Sequence, residues 1–338
     1  MVEQPDGQDH TMNDDGDRSV STEAFVTHRN LLFTVAYELL GSAVDAEDVL
    51  QETWLQWADV DPGAVRDQRA FLVTIVTRQA IRRLRTLGRR RESYVGPWLP
   101  EPLLTAPDVA DAIELADNLS MAMLLVLETL APIERAVFVL REVFDMPYAE
   151  IASAVAKSRT AVRQIAHRAR AHVAARRPHG AGSAADARRA LEAFQRAVET
   201  GDLQGLLDIL APEVVFLGDG GGVKQAAPRP IVGADRVARV LCGGTGWMGG
   251  RTSAEPAHVN GWPALIIRLD DEIDGVVAVR IDDGLVTGLY YVRNPHKLAH
   301  LHREAALEHR PAAISCADRD PCRSGVSPKP RSAFGPRA

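Results

Sequence analysis

The sequence has no long apolar run and no apolar core near its start. The first absence excludes a membrane-spanning helix and the second a secretory signal, so the expected compartment is the cytoplasm, with no membrane partner. Cysteine is scarce: only Cys242, Cys316 and Cys322 occur in 338 residues. They make neither a disulfide framework nor a zinc pattern, and no metal and no cofactor is expected. The glycine-rich CGGTGWMGG around Cys242 lacks the Lys-Ser/Thr of a phosphate loop. No segment repeats. One further absence is local: no acidic residue lies between Lys157 and Arg177, although the whole chain carries a formal charge of −6.

That acid-free stretch is the centre of the reading. PYAEIASAVAKSRTAVRQIAHRARAHVAARR, from Pro147 to Arg177, predicts two helices joined by a tight turn. Ile151, Ala152 and Val155 give the first helix a small apolar face. Ser158 is placed to N-cap the second, whose inward stripe is Val162, Ile165, Ala166 and Ala169. Its other face holds Arg159, Arg163, His167, Arg168 and Arg170. An uncompensated cationic helix after a tight turn suits DNA, with phosphates attracting the guanidinium groups and the first turns reaching base edges. Arg159, Thr160, Arg163, Gln164 and His167 are the expected groove-facing residues. Arg favours guanine and Gln adenine when bidentate. The plain alternative is a solvated basic surface helix.

The length suggests about two or three domains. Residues 1–20 are acidic and poor in large apolar groups, and disorder is expected there. Residues 21–92 read as three helices: one ending at Gly41, an acidic one (DAEDVLQETWLQWADV) and a basic one from Gln68 rich in arginine. In the acidic helix Trp54 is expected in the core, and Trp57 is either core or contact. Residues 93–118 form a linker whose Trp98, Leu99, Leu103 and Leu104 are too apolar for a free spacer. Residues 119–178 hold the helix-turn-helix. Residues 184–307 shift to an α+β pattern of helices, short strands and an Asp282-Asp283-Gly284 hairpin turn. Residues 308–338 are Pro-, Arg- and Ser-rich, and disorder is again expected.

Taken together these stretches resemble a known family. DAEDVLQETWLQW is similar to the polymerase-binding helix of bacterial sigma factors, and RAFLVTIVTRQAIRRLR to the adjoining helix that handles the −10 element. LETLAPIERAVFVLREVFDMPYAEIASAV with its basic helix resembles the −35-binding domain. Only these two end domains are present, as in the extracytoplasmic-function group. WLPEPL (98–103), DGGG (219–222) and NPHKL (294–298) resemble the subgroup with a fused SnoaL-like domain. Val223 intervenes where that subgroup has Lys, His296 stands in place of Asp, and Arg82 and Ala161 also depart from common residues.

The resemblance implies a multidomain fold: two all-α sigma domains followed by an α+β SnoaL-like cone. It implies a non-enzymatic sigma factor that binds core RNA polymerase and promoter DNA, controlled by the fused domain. Asp48, Gln51, Glu52 and Gln56 would meet the polymerase. The Asp61–Gln68 loop would capture a base, and Arg78, Arg82 and Arg85 would hold phosphates. Trp98, Leu99, Leu103, Asp219, Gly220, Gly221, Gly222, Asn294, Pro295, Lys297 and Leu298 would form the regulatory docking site, with a small ligand or protein as an optional further partner. The alternative is a transcriptional regulator whose third domain senses a ligand or acts as an isomerase or cyclase. Asp219, His258 and Asp270 would then be the acid–base candidates. His296, His300 and His302 are better read as solvated than as metal ligands.

Overall fold

The computed structural model describes residues 11–105, 120–176, 184–247 and 252–301. The expected tail 308–338, His302 and linker residues 106–118 lie outside them. Three helices open the fold: α1 (Thr11–Leu40), α2 (Ala43–Ala58) and α3 (Gln68–Glu92). A 3₁₀ turn, Pro62–Ala64, sits between the last two. Helix α1 begins at Thr11, within the stretch 1–20 for which disorder is expected. Ser42 N-caps α2 by accepting from the Asp45 backbone N–H at 3.1 Å. Trp57 is fully buried and donates from Nε1 to the Ser21 carbonyl at 2.8 Å, which places it in the core. Trp54 is half-buried and packs edge-on to Phe25.

Four helices follow: α4 (Met121–Glu128), α5 (Pro132–Phe138), α6 (Tyr148–Val155) and α7 (Arg159–Ala174). Helix α5 runs on into a π-helical turn at Val139–Val143. Ala156 adopts a left-handed conformation (φ 53°) that ends α6, and Ser158 then caps α7 by accepting from the Ala161 N–H at 3.1 Å. These two devices build the tight turn of the helix-turn-helix. The helices of both units share one continuous core, running from Phe25 and Leu40 through Trp57 and Val76 to Phe138, Val162 and Val173.

The third unit is α+β. Helices α8 (Ala184–Thr200), α9 (Leu203–Ile209) and α10 (Ala234–Trp247) pack on one face of a six-stranded mixed sheet. Its strands are β1 (Leu210–Asp219), β2 (Ile231–Val232), β3 (Thr252–Val259), β4 (Trp262–Leu269), β5 (Glu272–Asp282) and β6 (Leu285–Val292). The order is β2-β1-β6-β5-β4-β3, parallel only at β1–β6. The two-residue strand β2 has no signature in the sequence.

Side-chain alternation along a strand gives the sheet two buried faces. Val277, Val279 and Ile281 of β5 face the helices, with Phe194 and Val237. Val276 and Ala278 face the other way and pack with Leu99 of the linker, Met121 and Ala122 of α4, and Leu298. The sheet is thus covered on its second face by the rest of the same chain.

Candidate nucleic-acid interface

The expected base readers lie together on α7. Arg159, Thr160, Arg163, Gln164 and His167 are all exposed, while Val162, Ala166 and Ala169 turn into the core. The helix is anchored from behind and presents a cationic face forward.

The second expected DNA surface is arranged differently. On α3, Arg82 and Arg85 are exposed, and Arg82 donates to the Gln79 side chain at 3.3 Å. Arg78 reaches across to the helix-turn-helix. Its Nη2 donates to the Ser153 carbonyl (2.8 Å) and its Nε to the Ala154 carbonyl (3.2 Å) at the end of α6. The cation thus meets the negative end of a helix dipole. Arg135 makes the reciprocal contact. Its Nη2 and Nε donate to the Glu38 carbonyl near the end of α1 at 3.0 and 3.2 Å, and Nη1 pairs with Glu128. Burial pulls the Arg135 guanidinium down to about 10. Near the Asp61–Gln68 loop, burial and the charge of Asp67 raise the Glu150 carboxyl, with Arg69 opposing. Most of that loop is open to solvent: Asp61, Gly63, Ala64, Arg66 and Asp67 are exposed, and Pro62 is buried.

Asp48, Gln51, Glu52 and Gln56 reach solvent on α2. Arg83 of α3 lies alongside them. It donates to Asp45 at 2.7 Å, bonds Asp48 and stands 3.9 Å from Glu52. Leu55, 66 % exposed, adds an apolar side chain to the same helix.

The linker joins all three units, and its successive side chains go to different partners. Leu99 is buried against the third unit's sheet, Leu103 in the helical core. Glu101 is buried at the start of α2, where it accepts from Ser42 Oγ (2.8 Å), the Ala43 N–H (2.7 Å) and the Val44 N–H (3.3 Å). Burial raises its carboxyl despite those three bonds. Trp98 stacks over Lys297, whose Nζ is 4.2 Å from the ring centroid. It also lies over Gly41, where a Cβ would meet the ring at 3.0 Å. Leu104 bridges antiparallel to Val259, so the linker extends the sheet beyond β3.

Two motifs of the third unit close on that linker. Asp219 is fully buried. It accepts from Tyr94 Oη (2.7 Å), the Leu99 N–H (2.9 Å), Lys297 Nζ (2.8 Å) and the Gly221 N–H (3.0 Å). Lys297 also donates to the Leu99 carbonyl at 2.5 Å, and Asn294 Nδ2 to Tyr94 Oη at 2.8 Å. Gly220 and Gly221 are required here: a Cβ at either would run into the Lys224 carbonyl or the Asn294 amide. Pro295 opens the 3₁₀ turn Pro295–Lys297 that presents Lys297, and Leu298 is buried in the shared core. Val223 and His296, the two departures, are both exposed. Lys224 instead bonds Asp274 at 3.0 Å.

Sequence reasoning missed Tyr94, Glu101, Arg135 and Asn260. Asn260 pairs both ways with the Leu103 backbone at 2.8 Å and donates to Tyr37 Oη at 2.7 Å. The signal for Glu101 was a lone carboxylate inside an apolar motif. The acid–base candidates are not brought together: Asp219 is taken by the docking contact, and His258 and Asp270 sit toward opposite ends of β4. Among the described residues there is no group of three His, Cys, Asp or Glu that could hold a metal, and no helix long and apolar enough to cross a membrane.

An exposed cationic helix after a tight turn, an arginine-rich second helix and an acidic helix, on two α units with an α+β unit clasping their linker, are the arrangement of a two-domain sigma factor with a fused third domain. The comparisons agree. The chain matches the model of Sigma-70 region 2 over residues 24–90 and that of Sigma-70, region 4 over residues 120–173. It is 36 % identical over 293 residues to the ECF RNA polymerase sigma factor SigJ of Mycobacterium tuberculosis, spanning 81 % of this chain and 91 % of that protein. It is 31 % identical over 284 residues to the probable ECF RNA polymerase sigma factor SigI of the same organism, spanning 83 % and 96 %. The crystal structure of M. tuberculosis SigJ superposes with a TM-score of 0.66 at 33 % identity, covering 83 % of this chain and 98 % of that one. The chain belongs to the extracytoplasmic-function (ECF) RNA polymerase sigma factors.

Proposed function

We propose that the chain binds core RNA polymerase through α2, places α7 at an upstream promoter element and α3 at the −10 element, and is held by its third domain in a closed arrangement. The observation that carries the sigma reading is the ordered pair of helical units, with the base-facing side of α7 exposed. Asp48, Gln51, Glu52 and Gln56 supply polar contacts to the polymerase. Arg159, Thr160, Arg163, Gln164 and His167 supply contacts to the upstream element. Arg82 and Arg85 hold phosphates, joined by Arg78 once it leaves α6.

The shared core and the reciprocal bonds of Arg78 and Arg135 support the closed state. Two promoter elements some 25 base pairs apart are separated by roughly 85 Å of duplex, at about 3.4 Å per pair. Two units sharing one hydrophobic core do not span that length, so binding both elements requires them to part. The third domain favours the closed state by gripping the linker through Asp219, Gly220, Gly221, Asn294 and Lys297, backed by Leu99, Leu103 and Leu298. Gly222 and Pro295 shape the two loops. A ligand or partner would shift this balance only by binding one state better. The separation of Asp219, His258 and Asp270 favours this reading over a catalytic one.

The test is transcription in vitro with purified core polymerase, with the full chain and with a chain ending near Arg177. Promoter-specific initiation by the full chain supports the reading. A full chain that neither binds core polymerase nor initiates at any promoter overturns it in favour of a plain transcriptional regulator. The truncated chain should initiate to a different extent, and a chain trimmed only after Leu298 should differ from both.

A further inference from the structure

Tyr148 is the first residue of α6, half-buried, directly after Pro147 at the N-cap position. It packs on the helical core. Three arginines gather on its outer part. The Arg141 guanidinium lies 4.9 Å and the Arg163 guanidinium 5.5 Å from the ring centroid. Arg170 Nη2 donates to the phenol oxygen at 2.9 Å, while its Nε donates to Glu142 at 2.7 Å. Arg141 is itself tied to the Met146 carbonyl (2.9 Å) and Asp145 (3.1 Å). A core tyrosine needs one partner for its hydroxyl; it does not need two further cations over its ring.

We propose that Tyr148 is a positioning residue for promoter reading: its ring holds the Arg163 guanidinium in the orientation that reads a base pair, without itself reading one. The proposal rests on the assignment of α7 as the reading helix. An arginine free to move has many side-chain rotamers, and bidentate recognition of guanine demands one planar orientation. Stacking on a fixed aromatic face removes part of that freedom before DNA arrives. The ring itself is kept in place by its packing on the helical core. The π-helical turn at Val139–Val143 delivers Arg141 to the same ring.

The test uses the full-length chain with core RNA polymerase and a duplex library randomised in the upstream element. Base preference at each position is compared for wild type, Arg163→Ala, Tyr148→Leu, Tyr148→Phe and the Tyr148→Leu/Arg163→Ala double variant. Arg163→Ala should lose about tenfold in preference at one base pair. Tyr148→Leu should lose about threefold at that same base pair. Tyr148→Phe should keep the preference, and the double variant should be no worse than Arg163→Ala there. Thermal midpoints accompany each variant; should Tyr148→Leu unfold, Tyr148→Met takes its place with the same expected outcome. Loss in Arg163→Ala with full preference in Tyr148→Leu overturns the positioning role alone. Additive losses in the double variant, or equal losses at every position, overturn it as well. Unchanged preference in Arg163→Ala would remove the reading-helix assignment itself, and this proposal with it.

Discussion

Lys297 Nζ stands 2.8 Å from Asp219 Oδ2, with both side chains almost wholly sealed from solvent. The pair joins two motifs that are far apart in sequence, and both partners also bond the Leu99 backbone, one to its N–H and one to its carbonyl. The fused domain thus holds the linker by main-chain hydrogen bonds, with a buried ion pair behind them.

Removing one member of that pair leaves an uncompensated buried charge, at a cost of roughly 3–5 kcal/mol. Lys297→Met should therefore release the linker, read as faster protease cleavage near Trp98. Adding Asp219→Asn should recover part of the protection, since the stranded carboxylate is gone. Equal cleavage of wild type and Lys297→Met would contradict the role of the pair.

Leu103→Asp puts a charge into the core of the helical units while leaving the third domain's own core intact. Linker cleavage should rise and transcription should change. Unchanged cleavage and unchanged transcription would make the third domain an independent passenger.

Arg78 and Arg85 should behave differently, although they occupy one helix. Arg85→Ala should weaken promoter binding broadly and reduce its salt dependence, as loss of one phosphate contact does. Arg78→Ala should also loosen the α3–α6 contact. Hydrogen exchange at the Ser153–Ala156 end of α6 should accelerate in the free protein for Arg78→Ala alone. The same exchange in both variants would remove the distinction.

On α2, Glu52 is about half exposed and stands 3.9 Å from Arg83. Exposed pairs of this kind contribute about 0–1 kcal/mol. Glu52→Lys should consequently leave the thermal midpoint within a few degrees of wild type and weaken binding to core polymerase. Unfolding, or unchanged polymerase binding, would count against the contact.

Asp274 adds an acid-sensitive contribution to the stability of the third domain. Burial opposes its charge, yet bonds from Arg293, Tyr291 and Lys224 outweigh that and hold its carboxyl at about 2, against 3.8 unperturbed. A depressed carboxyl contributes stability that is complete above the unfolded value and is lost as pH falls through the folded one. The difference corresponds to about 2 kcal/mol. Stability should therefore fall between about pH 4 and pH 2 in the wild type, and less steeply in Asp274→Asn. Parallel acid profiles would refute the assignment.

Local pattern and long-range pairing were not equally legible in the sequence. The helices around Val49, Phe71 and Val162 announce themselves by apolar spacing, and the strands of the third domain by turn residues such as Asp283-Gly284. Strand β2 was hidden because two residues have no period. The docking motifs could be named only by resemblance. Their geometry depends on pairings such as Glu101 with Ser42 and Asn260 with Leu103, which leave no local periodicity. That Arg78 is engaged by α6 could not be read from its helix, where it looks like its exposed neighbours Arg82 and Arg85.

The proposed sigma factor is closed when free and opens to use a promoter. The most direct measurement is the distance between dyes placed on exposed Thr86 of α3 and exposed Lys157 before α7, in full-length protein with and without core polymerase and promoter DNA. A short separation is expected in the free chain and one longer by several tens of ångströms, roughly the span between promoter elements, in the initiating complex. A separation that stays short in a complex that initiates transcription would contradict the proposed opening.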